Sequence, residues 1–450
     1  MSRVAIVGGG ITGLTLAYEL EKSPGTEVVL FEASDRLGGK IETLREEGKV
    51  IEQGPDCFFT GKPAARELVS ELGIENELVE PRRSQFCLYI EGSLHEVPRG
   101  LMSFTHIDPE AVRSVAFLSD DSKRAVLEEA SAPESMAADE SLAEFFRRRF
   151  GEGFSTMLAE TLLAGTHGGD PEKLSVRALY PGYWKLEKVH GSLSAAPKPP
   201  DEKGPMFQSF REGMQTLTDA LQQSLQRTEV RLGTPVRGVG RNGSVTTAGG
   251  EERFDHVAVV TPSWAAVDIV SAANPRASEL MAKILFADAA IVTFVIGADQ
   301  VEERLQGTGF LVPKGALRPV TGATFSSEKW EGRCDDDTAI IRAFLGRDGW
   351  LELRDMSDDD CVRAAKVALS KALGAELVPL SSQVVRMPDA LPQYQVGHVE
   401  LVDRIEQALE STPAISVCGT SYRGIGIPDC ITNARKHAQK LTNQLEESYV

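Results

Sequence analysis

A chain of 450 residues with 42% hydrophobic and 25% charged residues has the composition of a globular protein and is too long for one ordinary core, so two or three domains are expected. Its 48 Lys+Arg against 66 Asp+Glu leave a formal charge of −18, which argues against nucleic-acid binding but leaves room for a small polyanion in one pocket. Six cysteines without a CxxC pair predict reduced thiols, and seven histidines without HxxxH or HExxH spacing predict no protein-bound metal.

At the N-terminus, Arg3-Val4-Ala5-Ile6-Val7 reads as a strand buried on both faces, followed directly by the turn Gly8-Gly9-Gly10-Ile11-Thr12-Gly13. Leu14-Thr15-Leu16-Ala17-Tyr18-Glu19-Leu20 continues as a helix, and Glu27-Val28-Val29-Leu30-Phe31-Glu32 is a second strand ending on an acid. This strand–turn–helix–strand unit is the context a dinucleotide site requires. Gly8 permits the tight turn, Gly10 lets the backbone approach a pyrophosphate, and Gly13 lets helix and strand pack closely. Ile11 and Thr12 open the helix, whose N-terminal N–H groups and dipole favour phosphate. Glu32 is placed to accept from a ribose diol and disfavours a 2′-phosphate. The N-terminal apolar run is broken by three glycines, unlike a secretory signal, and the apolar stretch 289–298 is about half of the ~20 residues a spanning helix needs. A cytoplasmic protein is expected; peripheral membrane contact through an exposed apolar patch is possible but not indicated.

Further along, Ala195-Ala196-Pro197-Lys198-Pro199-Pro200-Asp201-Glu202-Lys203-Gly204-Pro205 reads as a loop, while 141–150 and 154–163 carry helical patterning. Thr234-Pro235-Val236-Arg237-Gly238-Val239 and Val257-Ala258-Val259-Val260-Thr261-Pro262 read as strands from their β-branched runs. Near the end, Ile415-Ser416-Val417-Cys418-Gly419 is a buried strand entering a glycine turn, followed by a helix from about residue 431 to 447. The sequence Gly419-Thr420-Ser421-Tyr422-Arg423 lacks the G-x-S-x-G elbow of a serine hydrolase. No internal repeats are visible.

Glu32-Ala33-Ser34-Asp35-Arg36-Leu37-Gly38-Gly39-Lys40 resembles the signature of the amine-oxidase and protoporphyrinogen-oxidase flavoproteins, which implies FAD as the cofactor. Glu52-Gln53-Gly54-Pro55-Asp56-Cys57 follows, a segment that in that superfamily runs beside the flavin ring. Other segments keep the order of the porphyrinogen oxidases of haem biosynthesis. These are Gly165-Thr166-His167-Gly168-Gly169-Asp170-Pro171-Glu172-Lys173-Leu174-Ser175, Phe210-Arg211-Glu212-Gly213-Met214-Gln215-Thr216-Leu217 and Leu391-Pro392-Gln393-Tyr394-Gln395-Val396-Gly397-His398. The turn Gly424-Ile425-Gly426-Ile427-Pro428-Asp429-Cys430-Ile431 completes the set. Asp56 and Met102 stand where members acting on protoporphyrinogen often carry arginines, so the chain resembles the coproporphyrinogen III branch more; Arg99 is a candidate for a propionate.

The resemblance implies an α/β protein with a Rossmann-like FAD-binding domain (1–60, 205–265, 383–450), a sheet-based substrate domain (61–85, 266–382) and a helical lobe with a proline-rich loop (86–204). FAD contacts carried over are Gly8, Gly9, Gly10, Ile11, Thr12, Gly13, Glu32, Ala33, Arg36, Gly38, Gly39 and Lys40, then Gly54, Pro55, Asp56, Cys57 and Val236, and finally Thr420, Ile425, Gly426 and Ile427. Gln306-Gly307-Thr308-Gly309-Phe310-Leu311-Val312-Pro313 resembles the segment facing the macrocycle, which makes Thr308, Gly309 and Leu311 substrate candidates, with Phe344 and His167 beside them. The implied reaction is six-electron oxidation of coproporphyrinogen III with O2 as acceptor and H2O2 as product, the flavin carrying the chemistry and no residue declaring itself a general base. A transient contact with the next haem-pathway enzyme is the implied protein partner. The alternatives are a protoporphyrinogen IX oxidase, an amine oxidase or carotenoid desaturase, and a flavin-binding redox protein without turnover. An amine oxidase often tethers its flavin through a cysteine after paired glycines, whereas Cys418 here precedes the glycine.

Overall fold

A computed structural model describes residues 2–102, 104–195, 197, 204–301, 304–305, 307–350 and 352–447. Gln306 and most of the proline-rich stretch, residues 196 and 198–203, lie outside the described residues.

The N-terminal strand Ser2–Val7 sits at the centre of a five-stranded parallel sheet ordered Glu229–Arg231, Thr26–Phe31, Ser2–Val7, His256–Val259, Ile415–Val417. Alternation along the strands sends Val4, Ile6, Val28 and Leu30 to one face, against helices Ile11–Glu21, Ala64–Glu71, Gln215–Ser224 and Ile427–Glu447. Ala5, Val7, Val29 and Phe31 face the other way, toward helices Ser263–Ser271, Pro275–Met281 and His398–Leu409. Both faces are covered, which is why these strands read as unbroken apolar runs.

A second sheet of seven strands runs in the order Pro379–Gln393, Leu285–Gly297, Thr338–Leu345, Val320–Phe325, Gly309–Leu311, Cys87–Ile90, Ser93–Glu96. Its pairs are antiparallel except for Gly309–Leu311 with Cys87–Ile90. One face (Val292, Phe294, Ile341, Ala343) is buried under helix Asp358–Leu373. The opposite face meets the N-terminal half, where Val295 and Ile340 pack on Ile51.

The third unit is helical. Helix Leu142–Phe150 begins with a capping box formed by Ser141 and Glu144, and its Phe145, Phe146 and Phe150 join Phe104 and Phe154 in a buried aromatic core. The patterning at 154–163 is realised as a π-helical turn, Ser155–Ala159, followed by helix Glu160–Gly165.

These contacts redraw the expected segment boundaries. Within 61–85, helix Ala64–Glu71 packs in the dinucleotide core and not with the substrate sheet, because its Leu68 and Val69 complete the apolar face under the parallel strands. Helices Ser263–Ser271 and Pro275–Met281 cover the other face of that sheet, although 266–382 was expected to be substrate domain. Strand Pro379–Gln393 pairs with Leu285–Gly297 in the seven-stranded sheet despite lying mostly in 383–450, and Cys87–Glu96 joins the same sheet instead of the helical lobe. The expected strand 234–239 contracts to Gly238–Val239, since Pro235 cannot donate to a ladder and residues 233–234 turn to bond Ser34 and Glu32.

Candidate functional site

The glycine turn forms because the chain must reverse between strand and helix with no room for side chains. Gly8 takes φ +116° and donates to the Phe31 carbonyl at 2.8 Å. A Cβ on Gly13 would lie 1.9 Å from the Gly8 oxygen, so helix and strand touch there through bare backbone. At Gly10 the situation is reversed: a Cβ would find nothing nearer than Gly39 Cα at 3.9 Å. Gly10 is the N-cap of helix Ile11–Glu21, no side chain caps it, and no acid stands in the first turn. An open, uncapped helix N-terminus fits a phosphate group.

Residues 36–40 close the other side of this cradle. Gly38 bridges Gly10, its N–H donating to Gly9 O at 2.9 Å. Arg36 donates to the carbonyls of Leu37, Ile41 and Gly39 and pairs with Glu42 at 2.8 Å, so it shapes the segment and its charge is already matched. Lys40 bonds the carbonyl of Ala390, and burial lowers its pKa. Glu32 accepts from Gly9 N–H at 2.6 Å and from the backbone and hydroxyl of Ser34 at 2.8 and 2.9 Å. Thr234 N–H bonds the Glu32 carbonyl, which brings the segment carrying the buried Val236 alongside this strand end; Ala33 is exposed beside it.

Gly54 passes against this segment, since a Cβ on it would lie 1.9 Å from the Lys40 oxygen. From here a buried charge cluster ties the N-terminal half to the seven-stranded sheet. Arg342 donates to Gly54 O, while Lys329 and the Trp330 indole donate to Asp56 at 2.8 and 3.0 Å. Burial alone would raise the Asp56 pKa, but the Lys329 and Arg342 cations hold it well below the carboxylate range. Burial and the Asp56 charge push the Cys57 thiol up to about 12, so it is no nucleophile. Glu52, half of the expected Glu-x-Gly-Pro turn, accepts from Met214 N–H at 2.8 Å and Thr43 Oγ1 at 2.7 Å, and Thr43 Oγ1 accepts from Gln215 N–H. This places Phe210–Leu217 as the helix start that the Glu52 hairpin fastens down.

The C-terminal turn reaches the cradle from the far side. Gly419 has φ +116°, and helix Ile427–Glu447 packs on helix Ile11–Glu21 in the same core. Thr420 and Ile425, Gly426 and Ile427 line its approach, all incompletely buried. Asp429, in the first turn of the helix, is paired with Lys62 at 2.7 and 2.8 Å. Lys62 was missed from sequence because nothing local distinguishes it from a solvated loop lysine.

Of the expected substrate residues, Gly309, Leu311 and Phe344 share the sheet face opposite the Val292 and Ile341 core, and Leu311 packs against the helical lobe. A Cβ on Gly309 would meet the Ala323 oxygen at 2.1 Å, so neighbouring backbone, not ligand approach, demands glycine there. Thr308 bonds Gln85 O through both its N–H and its hydroxyl. His167 Nε2 lies 3.1 Å from Tyr180 Oη, whose own proton goes to Leu163 O. Nε2 therefore carries the imidazole hydrogen and Nδ1 keeps its lone pair. Burial, reinforced by Lys62, pushes the His167 pKa down to about 4.

The chain matches the model of flavin containing amine oxidoreductases over residues 11–442. Coproporphyrinogen III oxidase of Bacillus subtilis strain 168 is 33% identical over 96% of each chain, and that of Staphylococcus aureus strain NCTC 8325 is 29% identical over 98% of this chain and 99% of its own. A crystal structure from Exiguobacterium sp. 255-15, assigned as a protoporphyrinogen oxidase, superposes with a TM-score of 0.86 at 31% identity, covering 98% and 99% of the two chains. Among the described residues no helix is long and apolar enough to cross a membrane. A phosphate-ready glycine cradle, a C-terminal turn closing on it and a full-length sequence match converge on one conclusion: the chain belongs to the flavin containing amine oxidoreductase family, with FAD as its cofactor.

Proposed function

We propose that the protein oxidises coproporphyrinogen III to coproporphyrin III, removing six electrons in three rounds with three O2 consumed and three H2O2 formed. The observation that carries this reading is the end-to-end match to proteins named coproporphyrinogen III oxidase, with the cradle and the C-terminal turn intact. FAD supplies the electron transfer when bound. Gly10 and the start of helix Ile11–Glu21 would hold its phosphates, with Gly8 and Gly13 closing the turn behind them; Glu32 and Val236 would hold its adenosine end, and Gly54 with residues 425–427 its ring end.

The protein's remaining task is to hold a flexible, electron-rich macrocycle against that ring. The sheet face bearing Gly309, Leu311 and Phe344 gives it an apolar wall. His167, neutral at pH 7 with Nδ1 free to accept, takes a hydrogen bond from a pyrrole N–H. Its low pKa suits an acceptor and not a general base. Charge-matched Arg36 and Asp56 shape the walls without competing for the substrate carboxylates.

The second reading, protoporphyrinogen IX as substrate, is favoured by the structural likeness to the Exiguobacterium protein. An aerobic assay with both porphyrinogens side by side, followed by porphyrin fluorescence, separates the two. We expect faster turnover of coproporphyrinogen III; faster protoporphyrinogen turnover reverses the assignment, and no product from FAD-loaded protein with either refutes it.

A further inference from the structure

Two of the distinctive sequence segments, 165–175 and 391–398, meet in space although more than two hundred residues separate them in the chain. Leu174 and Gln395 form an antiparallel bridge, Ser175 N–H donates to Tyr394 O at 2.8 Å, and Val396 N–H donates to Lys173 O at 2.9 Å. Asp139 of the helical lobe accepts from Ser175 Oγ and from Gly397 N–H at 3.0 Å. Gly397 takes φ +86° to start helix His398–Leu409, which accounts for glycine at that place.

What this joint presents to the C-terminal turn is a pair of stacked rings. Tyr394 and His398 lie 3.8 Å apart at 15°, 1% and 5% exposed. Tyr394 Oη donates to Thr420 O at 2.7 Å and is also hydrogen-bonded by the Gly424 backbone, so one hydroxyl spans the turn. His398 Nε2 lies 2.9 Å from Tyr422 O; a carbonyl only accepts, so the tautomer is fixed as Nε2–H. Asn433 Nδ2 donates to Arg423 O. The carbonyls of residues 420, 422 and 423 are thus each held by a side-chain donor. Tyr422 N–H donates to Gly419 O at 3.1 Å and the Gly424 amide serves Tyr394, so the amides that can serve a ligand are those of the helix start, where the first N–H groups of a helix have no partner within it.

We infer that Tyr394 and His398 are positioning residues for FAD: the stacked pair holds residues 420–424 so that the start of helix Ile427–Glu447 is presented with its N–H groups to the flavin ring. The inference rests on the reading that this turn closes on the cofactor. Neither side chain touches substrate. They act through the backbone they hold, and through Ser175 and Asp139 they make the helical lobe part of the same support.

The test uses full-length holoenzyme and reads flavin release on dilution by fluorescence, the visible absorption bands of bound FAD, and the melting temperature. Tyr394→Phe keeps the stack and loses the hydroxyl; His398→Leu loses the donor; His398→Gln keeps a side-chain N–H. We expect about tenfold faster release and displaced absorption bands in the first two, with His398→Gln returning most of both toward wild type. Wild-type release and spectra in folded Tyr394→Phe and His398→Leu would overturn the inference, as would a lowered melting temperature with an unchanged spectrum and no rescue by Gln. Gly10→Val serves as the control, since its side chain fills the open cradle. If Gly10→Val abolishes FAD binding while the ring variants leave it unchanged, only the positioning role fails. If Gly10→Val retains FAD, the placement of the cofactor itself fails.

Discussion

The glycine cradle and the Asp56–Lys329 cluster both flank the proposed cofactor site, yet they are built in opposite ways. The cradle is local: thirty-odd consecutive residues, whose turn is made of backbone and shaped by what glycine lacks, with Glu32 and Arg36 bracing it from within the same segment. The cluster is assembled from side chains at 52–56, 329–333 and 342, and it exists only when the N-terminal half has docked on the seven-stranded sheet. A backbone site tolerates no added atom; a side-chain cluster tolerates no missing partner. The two therefore fail differently.

The sharpest break is at Gly13. Replacing it with Val drives a Cβ into the Gly8 oxygen, 1.9 Å away, and FAD content of the purified protein should fall to near zero. Next comes the cluster. Asp56→Ala leaves the Lys329 ammonium buried without its carboxylate, and we expect a loss of about 3–5 kcal/mol in denaturant unfolding. Adding Lys329→Met to that variant should recover much of the loss, which distinguishes an unpaired charge from a cavity.

Acid separates the regions further. His256 and His437 share the Ser416 hydroxyl at 2.7 Å each, and burial pushes their pKa values down to about 3 and about 4; His398 is likewise held near 4. The unfolded chain binds these protons near pH 6.5 and the folded one does not. Stability is therefore full above about pH 6.5 and falls as the pH drops toward 4, by about 1.4 kcal/mol per histidine at pH 5.5. The cradle contains no histidine, so substitution of His256 and His437 together by Gln should remove about half of the histidine-dependent loss of stability in acid, His167 and His398 keeping the rest, without changing FAD release at pH 7.5. The smallest effect is expected at Glu32. Glu32→Ala should speed FAD release by roughly five- to tenfold, about 1–1.4 kcal/mol, the half-exposed site placing it below the usual range for a hydrogen bond to a charged group; full retention would refute its ribose role.

The same contrast explains how much could be read from sequence. Gly8, Gly10, Gly13 and Glu32 announce themselves because fixed spacing in one segment is enough to specify the turn. The parallel strands were visible because both faces are buried, leaving apolar runs. Lys329, Trp330 and Arg342 were not visible, since their partners lie more than 270 positions away and no periodicity marks them. The boundaries shifted for a related reason. Helix Ala64–Glu71 is equally amphipathic whichever sheet it covers, and only the assembled core shows which. Tyr394 and His398 were recognisable as part of a motif, but their task needed the carbonyls of 420 and 422 in view.

The parallel sheet carries one more implication, for synthesis. Its central strand is residues 2–7 and one edge is residues 415–417, and the helix that opens the cradle is covered by the last helix of the chain. In a nascent polypeptide the glycine turn at 8–13 precedes residues 415–447, which complete its surroundings, by roughly four hundred positions of synthesis. Flavin capture thus waits for residues 415–447, and a product terminated before them would leave the ribosome colourless.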